Sequence, residues 1–104
     1  SLSEFGEYDM AIEMYKRAIE VFPKEPNAYE LLGNLYTNLN RLDDAMAEYK
    51  KILRFSPNNA ETYMLLGNAH YLQGDIEKAI ASYRSSIKIM MSINLFISRF
   101  LMNI

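Results

Sequence analysis

Two groups of residues in this sequence are of the types that catalysis uses: the single histidine, His70, and three nearby acids, Asp43, Asp44 and Glu48. A histidine can act as a general base at neutral pH, and grouped carboxylates can hold a metal ion. His70 has no second histidine and no cysteine to complete a metal site, which favours a packed, partly buried side chain. Adjacent acids at a helix start ordinarily accept hydrogen bonds from the free amides there and interact favourably with the positive end of the helix dipole. We therefore predict a non-enzymatic protein with no metal site and no cofactor.

The sequence contains little that would indicate binding of nucleotides or nucleic acids. The four glycines form neither a GxGxxG nor a GxxxxGK[ST] loop, and no nucleophile elbow is present. The run YKKILRF, residues 49–55, combines cations with aromatic residues, but on an outward helix face it is more typical of solvated surface. The formal net charge of −2 also lacks the strongly basic balance of nucleic-acid binding. We predict no nucleic-acid partner.

The absence of cysteine excludes a disulfide framework and suits a reducing compartment. The first residues, SLSEFGEYD, are acidic and contain no apolar signal-peptide core, so we expect a cytoplasmic protein. The segment from Ile87 onward is the most apolar part of the chain. Polar residues interrupt it at 92, 94, 98, 99 and 103, so we expect no membrane span there.

A shift of 34 residues aligns much of the chain with itself, most clearly ELLGNLY at 30–36 with MLLGNAH at 64–70. Repeats at such a period indicate stacked supersecondary units. The positions that agree are Gly33 with Gly67, Tyr29 with Tyr63, Leu32 with Leu66, Asn34 with Asn68, Pro23 with Pro57, and three triplets: Ala11, Ala45 and Ala79; Tyr15, Tyr49 and Tyr83; Ile19, Leu53 and Ile87. Gly6, Asn40 and Gly74 occupy one further position, and all three types tolerate a turn.

Apolar residues at three- and four-residue spacing predict two helices in each unit. In the middle unit the first stripe is Tyr29, Leu32, Leu35, Tyr36 and Leu39, and the second is Ala45, Met46, Tyr49, Ile52 and Leu53. We expect Asp43 or Asp44 to accept from free amides at the second helix start. Pro57 ends that helix because it disfavours helix at Ser56. Gly74 is expected just beyond the end of the next helix.

Gly33 and Gly67 fall in the middle of predicted helices, where glycine costs about 1 kcal/mol relative to alanine. A costly residue at the repeat period indicates close approach of the partner helix. We expect Ala45 and Ala79 to be the opposing small residues, with Tyr49 and Tyr83 filling the space one turn further on.

This pattern resembles the tetratricopeptide repeat, a 34-residue helix–turn–helix whose signature runs aromatic, Leu, Gly, Tyr, Ala, aromatic, Ala, Pro. The middle unit, 26–59, matches at Tyr29, Leu32, Gly33, Tyr36, Ala45, Tyr49 and Pro57, with Ile52 in place of a small residue. The last unit, 60–91, matches at Tyr63, Leu66, Gly67, Ala79 and Tyr83, but has His70, Ser86 and Met91 at three other signature positions. The first unit, 1–25, retains Gly6, Ala11, Tyr15, Ala18 and Pro23 and lacks most of its first helix. The resemblance implies an all-α, antiparallel helix-pair solenoid over 1–91, followed by an apolar helical tail, 92–104.

In this family the first helices of successive repeats line a concave groove that takes peptides or helices. By that resemblance the ligand-groove residues are Asn27, Glu30, Leu31, Asn34, Asn38, Glu61, Met64, Leu65, Asn68 and Tyr71. Asn34 and Asn68 are the best candidates, because an amide offers a donor and an acceptor to a peptide backbone. Leu31 and Leu65 can alternatively pack between neighbouring first helices.

Some members of the family bind acidic chaperone tails through Lys, Arg and Asn in this groove. Glu61 and Leu65 stand here where Lys and Arg would be, and Glu30 adds another acid. A carboxylate ligand would be repelled, so we predict that such tails do not bind. The groove suits an apolar helix or extended segment with a basic residue.

Both ends of the chain depart from a regular array. The first helix, expected from about Glu7 to Val21, leaves the stripe Tyr8, Ala11, Ile12, Tyr15 and Ile19 half uncovered. No stop signal follows Gly74, so the last helix either runs on past Lys88 or breaks near MSIN. The tail either caps the last repeat or pairs with another copy. The residues predicted for self-association are Ile93, Phe96, Ile97, Phe100, Leu101 and Ile104.

Two classes of function remain open. The first is a protein–protein interaction scaffold that binds a peptide or amphipathic helix in its groove. The second is a homo-oligomerising assembly module that uses the apolar tail. A weaker third hypothesis places the basic, apolar C-terminal segment on an anionic membrane surface.

Overall fold

The computed structural model describes the backbone of residues 2–103 and the side chains of residues 6–103. The described chain is helical, with short connections and no strand: α1 (Leu2–Val21), α2 (Pro26–Asn38), α3 (Leu42–Phe55), α4 (Ala60–Leu72) and α5 (Ile76–Met102). The chain divides into a first unit that ends at Pro57 and a second that begins at Asn58. α1 packs on α2 and α2 on α3 in the first unit, and α4 packs on α5 in the second.

The core of the first unit lies between α2 and α3. The predicted stripes face each other there, and the buried apolar side chains are Tyr29, Leu32, Tyr36, Ala45, Met46, Tyr49 and Ile52. The rings of Tyr29 and Phe55 approach to 5.6 Å between centroids. This contact joins the start of α2 to the end of α3, so the two helices run antiparallel.

The second unit repeats this arrangement. Leu66, Ala69 and Ala79 are buried, and Thr62 and Ser86 are the buried polar residues of the pair. The Ser86 hydroxyl donates to the Ala60 carbonyl at 2.8 Å, so the first residue of α4 lies beside the eleventh residue of α5. α4 and α5 are therefore also antiparallel, and α5 continues past the start of α4.

Matching turns close α2 and α4. Asn40 has φ +59° and Gly74 has φ +86°, both in the left-handed region. After α2, Asn40 N–H donates to Thr37 O and Arg41 N–H to Tyr36 O; after α4, Gly74 N–H donates to Tyr71 O and Asp75 N–H to His70 O. This pair of bonds is the Schellman motif, which satisfies carbonyls left open at a helix end. The predicted turn positions at Asn40 and Gly74 are confirmed.

The starts of α1 and α3 differ in part from the expectation. The N-cap residue of α3 is Arg41, whose side chain makes no capping bond, and Asp43 and Asp44 lie in the first turn, at the positive end of the helix dipole. The helix caps are Asn59, which accepts from Thr62 N–H at 3.1 Å, and Asp75, which accepts from Lys78 N–H at 3.2 Å. Gly6 lies within α1, which begins at Leu2 and not at Glu7, because a glycine permits a turn without imposing one.

The last helix runs without a break to Met102, which resolves the two alternatives left by the sequence. Its 27 residues carry no glycine or proline that would stop it. By length and composition α5 is apolar enough to cross a membrane. A single helix of this kind is weak evidence for a membrane span, so the expectation of no span stays a prediction.

Candidate functional site

The glycine in each full repeat lies under a tyrosine ring. A Cβ built on Gly33 would come within 2.9 Å of Tyr49 Cδ1, and one built on Gly67 within 2.6 Å of Tyr83 Cδ1. The nearest atoms in both cases belong to the tyrosine. The prediction of close packing is confirmed, with the tyrosine as the nearest neighbour of the glycine. The opposing position of Ala45 and Ala79, which are both buried, stays a prediction.

The same tyrosines hold the asparagines that follow the glycines. Tyr49 OH donates to Asn34 Oδ1 at 2.6 Å, and Tyr83 OH donates to Asn68 Oδ1. Thr37 Oγ1 donates to the Gly33 carbonyl at 3.0 Å and lies 3.4 Å from the Tyr49 hydroxyl. The oxygen of each asparagine thus accepts one hydrogen bond within its own helix pair, and the Nδ2 amide is a donor that it can offer to a ligand.

Burial raises the pKa of the Tyr49 hydroxyl above its ordinary value of about 10. The hydrogen bond with Thr37 acts in the opposite direction, and the negative charge of Glu30 adds to the increase. Tyr49 is therefore a neutral donor at physiological pH, and it holds Asn34 in one orientation.

The remaining predicted groove residues lie on the outer faces of α2 and α4. On α2, Asn27, Leu31 and Asn38 are exposed, and Glu30 and Asn34 are half-buried. On α4, the exposed residues are Glu61, Met64, Asn68 and Tyr71, and Leu65 is half-buried. Within each helix these positions follow helical spacing and form one face. We call them the α2 face and the α4 face.

The α4 face is the more apolar of the two. Met64 is 43% exposed and Tyr71 is 60% exposed, and the next residue, Leu72, is exposed as well. The opposite side of α4 is buried through Thr62, Leu66 and Ala69. α4 therefore has apolar residues on both sides, one in the core and one open to solvent.

The residues considered for catalysis have ordinary structural settings. His70 is half-buried within α4. Asp44 accepts from Arg41 Nε at 2.9 Å, and the Arg41 guanidinium lies 4.6 Å from the centroid of the Tyr36 ring. Lys50, Lys51 and Arg54 of the basic run are exposed, and Lys51 pairs with Glu48 at 2.9 Å. Within the described residues no group of three or more His, Cys, Asp or Glu side chains could hold a metal ion.

Comparison with protein families decides the class of this fold. A TPR repeat model matches residues 4–39 and 33–74, and a tetratricopeptide repeat model matches residues 60–92. The chain belongs to the tetratricopeptide repeat family. TPR arrays are protein-interaction scaffolds and typically non-enzymatic.

Solved TPR structures of the protein MamA share the fold. A crystal structure of MamA superposes with a TM-score of 0.78 at 23% identity, covering 88% of this chain and 53% of that one. A MamA structure designated MSR-1 C2 gives a TM-score of 0.76 at 22% identity, with 86% and 51% coverage. This chain spans about half the length of these proteins, and at such identities the likeness establishes the fold alone. The predicted all-α helix-pair solenoid class is confirmed. A comparison with curated protein sequences finds no match.

The end of the TPR chain is an exposed apolar helix. Every described residue from 91 to 103 is exposed, including Phe96 at 72%. Of the predicted self-association residues, Ile93, Phe96, Ile97, Phe100 and Leu101 lie in this segment, and Ile104 lies outside the described residues. α5 extends 16 residues beyond Ser86, or about 24 Å at 1.5 Å per residue. The alternative in which the segment caps the last repeat therefore has no support in the burial of its side chains.

One feature of the α2 and α4 faces is not apparent from the sequence, namely that Asn34 and Asn68 accept hydrogen bonds from Tyr49 and Tyr83. A signal was present, since each Gly–Asn pair is followed by a tyrosine 15 residues after the asparagine in both full repeats. Only the distances across the helix pair show that the ring lies over the glycine and that the hydroxyl reaches the amide.

Proposed function

We propose that this chain is a non-enzymatic scaffold that binds an amphipathic helix or extended peptide on the outer faces of its first helices. The observation that carries the proposal is the α4 face, where Met64 and Tyr71 remain open to solvent beside Asn68. Anchoring of apolar side chains beside a fixed amide donor is a recurring way to bind a protein segment. Exposed Glu61 favours a ligand with a basic residue.

The asparagines contribute a donor to this interaction. Because Tyr49 and Tyr83 occupy their Oδ1 atoms, Asn34 and Asn68 present Nδ2 in a fixed orientation. Replacement by aspartate retains the acceptor for the tyrosine, removes the donor and adds a negative charge. Asn34→Asp and Asn68→Asp therefore test the amide donors without the buried cost that alanine would add.

The experiment starts from peptides selected against the intact chain from a displayed library and titrated by isothermal calorimetry. The α4-face variant Met64→Ser/Tyr71→Ser should weaken binding at least tenfold, since each anchor is worth about 1 kcal/mol or more. The matched control is Ile80→Ser/Ile87→Ser, which removes two exposed apolar side chains from α5. Equal affinity for wild type and the α4-face variant would contradict the proposal.

A second candidate function is homo-oligomerisation through the tail. It is favoured by the full exposure of residues 91–103, because monomeric proteins rarely leave so long an apolar segment open. Phe96→Ser/Phe100→Ser should abolish self-association and leave peptide binding unchanged. The α4-face variant should do the reverse.

The same tail variant also tests the weaker membrane hypothesis. Beyond Glu77 the charged residues are all basic, namely Lys78, Arg84, Lys88 and Arg99, which suits an anionic lipid surface. Co-sedimentation with vesicles that contain or lack phosphatidylserine is the test. Pelleting only with the anionic vesicles, lost in Phe96→Ser/Phe100→Ser, would favour the membrane over self-association.

A further inference from the structure

The outer part of α5, residues 87–102, follows the last buried residue of that helix. Ala79 and Ser86 are the buried residues of α5, and both precede it. Within residues 87–102 Ile89 is half-buried and all the others are exposed. We call these residues the outer segment of α5.

The outer segment departs from the repeat pattern. In repeat register the next first helix would begin at residue 94, which is 34 residues after Ala60, the first residue of α4. Residues 94–102 instead continue α5 without a break. A first helix in register is therefore excluded as the cover of the outer segment, because its residues already belong to α5.

The charged residues of the outer segment lie on one side of the helix. Lys88, Ser92 and Arg99 recur at spacings of four and seven residues, which places them along one line on the helix surface, and all three are exposed. Arg84 precedes Lys88 by one turn on the same side. Beyond Glu77 the charged residues of the sequence are all basic. This polar line is therefore positively charged and includes no acid.

Apolar residues occupy most of the remaining surface of the outer segment. Ile93, Ile97 and Phe100 lie opposite the polar line, whereas Leu95 and Phe96 border it on either side. Their exposed fractions run from 48% for Ile97 to 72% for Phe96. The polar interruptions of this surface are uncharged, namely Asn94 and Ser98.

A single neighbouring helix would not cover this surface. Against α4, α5 buries one side only, through Ala79 and Ser86. A helix packed in the same way on the outer segment would cover the side of Ile93 and Ile97 and would leave Leu95 in water. Acyl chains surround every side except the polar line, so a lipid surface matches the pattern better than another helix does.

We propose that the outer segment of α5 lies in the plane of an anionic membrane surface. Lys88 and Arg99 face the anionic headgroups of the lipids, and Ile93, Ile97 and Phe100 enter the acyl chains. Basic residues near such a surface each strengthen binding by roughly fivefold. The site is distinct from the α2 and α4 faces, so the inference goes beyond peptide binding.

The positions of the two cations favour a helix that lies on the membrane over one that crosses it. Lys88 and Arg99 are 11 residues apart on the same side of the helix, which is about 16 Å along the axis at 1.5 Å per residue. In a helix parallel to the surface, both cations reach the headgroups at one depth. In a helix that crosses, one of them would lie deeper, where a charge in the hydrocarbon core is costly.

The chain contains no tryptophan, so a single introduced tryptophan reports on its own position. Ile93→Trp, Phe100→Trp and Ser92→Trp are measured separately by fluorescence, with vesicles that contain phosphatidylserine. Emission of Ile93→Trp and Phe100→Trp should shift to shorter wavelength when vesicles are added, and lipids brominated on their acyl chains should quench both equally. Ser92→Trp, on the polar line, should be quenched less.

Charge reversal tests the requirement for anionic lipid. Lys88→Glu/Arg99→Glu should weaken binding to the phosphatidylserine vesicles about tenfold or more, and vesicles of phosphatidylcholine alone should bind the wild type more weakly. The matched control is Lys50→Glu/Arg54→Glu, which changes the net charge equally at two exposed cations of α3. It should retain the wild-type affinity within about twofold, because charges far from the surface are screened.

Four outcomes would overturn the inference. The first is no binding to the phosphatidylserine vesicles, and the second is an equal loss in both charge-reversal variants, which would show a general effect of net charge. The third is unequal quenching of Ile93→Trp and Phe100→Trp, which would indicate a helix that crosses the membrane. The fourth is short-wavelength emission of Phe100→Trp without vesicles, unchanged by their addition, which would show that protein already covers the apolar side. Peptide binding on the α4 face is measured without lipid, so its result is independent of these outcomes.

Discussion

At the scale of single residues, the contact between glycine and tyrosine is the most constrained feature of each full repeat. Gly33→Ala adds a methyl group beside the Tyr49 ring, which is 1% exposed and bonded to Asn34, so the ring cannot move aside. We expect a loss of about 1–3 kcal/mol in the free energy of unfolding, measured with urea. Gly67→Ala should cost less, because Tyr83 is only half-buried.

Gly6→Ala is the matched control for these substitutions. Gly6 is helical, and a Cβ there would meet nothing within 4 Å. It should stabilise the chain by about 0.5–1 kcal/mol through helix propensity alone. A stabilisation of the same size in Gly33→Ala would refute the packing role of the glycine.

The raised pKa of Tyr49 predicts a specific loss of stability in alkali. The folded state favours the neutral phenol, so its pKa lies above the unfolded value of about 10. The resulting stabilisation is complete below that value and is lost as the pH rises through the folded pKa. The free energy of unfolding, measured with urea, should fall between neutral pH and strong alkali. This fall should be smaller in Tyr49→Phe than in the wild type. If the free energy of unfolding changed with pH equally in both proteins, ionisation of Tyr49 would be excluded as a cause of the loss.

Glu48 is a buried acid whose two oxygens differ in their partners. Lys51 binds Oε1 at 2.9 Å, whereas Oε2 is buried with no hydrogen-bond partner in the described part of the chain. Glu48→Met introduces the residue that Met14 supplies at the same repeat position. We expect about 1 kcal/mol of added stability from the removal of the unpaired oxygen. Exposed Glu20→Met is the control, and an equal gain there would point to a general effect of methionine.

At the scale of elements, the turns after α2 and α4 carry matched predictions. Asn40 and Gly74 both occupy the left-handed region, where a residue with a Cβ is strained and glycine is not. Asn40→Gly should be neutral or slightly stabilising, and Gly74→Ala should cost about 1 kcal/mol in thermal or urea unfolding. A neutral Gly74→Ala would contradict the turn geometry.

The sequence predicts most of the helices because helix-ending residues and apolar periodicity act locally. Pro57 ends α3, Gly74 ends α4, and the apolar stripes of α2 and α3 form the core as expected. The predicted start of α1 was wrong, because glycine fits several backbone states. Which one is adopted depends on what the neighbouring backbone supplies, and this the local sequence does not specify.

The candidate faces were less predictable than the helices. Repeat phase identifies which residues share a face of α2 or α4, and burial shows Met64 and Tyr71 open as a ligand site requires. The Oδ1 atoms of Asn34 and Asn68 accept hydrogen bonds from tyrosines that lie 15 residues further along the sequence. Contacts of that kind depend on the distance between packed helices, which periodicity does not give.

At the scale of the whole molecule, we propose that the tail, residues 92–104, governs association. The exposed apolar residues of α5 predict concentration-dependent self-association in size-exclusion chromatography with light scattering. Deletion of residues 92–104, or Phe96→Ser/Phe100→Ser, should yield a monomer. A strict monomer at high micromolar concentration, unchanged by the deletion, would exclude a role of the tail in assembly.

The proposed function of this TPR chain is the binding of a protein segment on the outer faces of α2 and α4, the first helices of the two full repeats. Nuclear magnetic resonance with an isotopically labelled chain and a selected peptide tests it most directly. We expect chemical-shift changes that cluster on the exposed positions of α2 and α4, including Leu31, Met64, Asn68 and Tyr71, with α3 little affected. Changes concentrated on α3, or on the tail of α5, would contradict it.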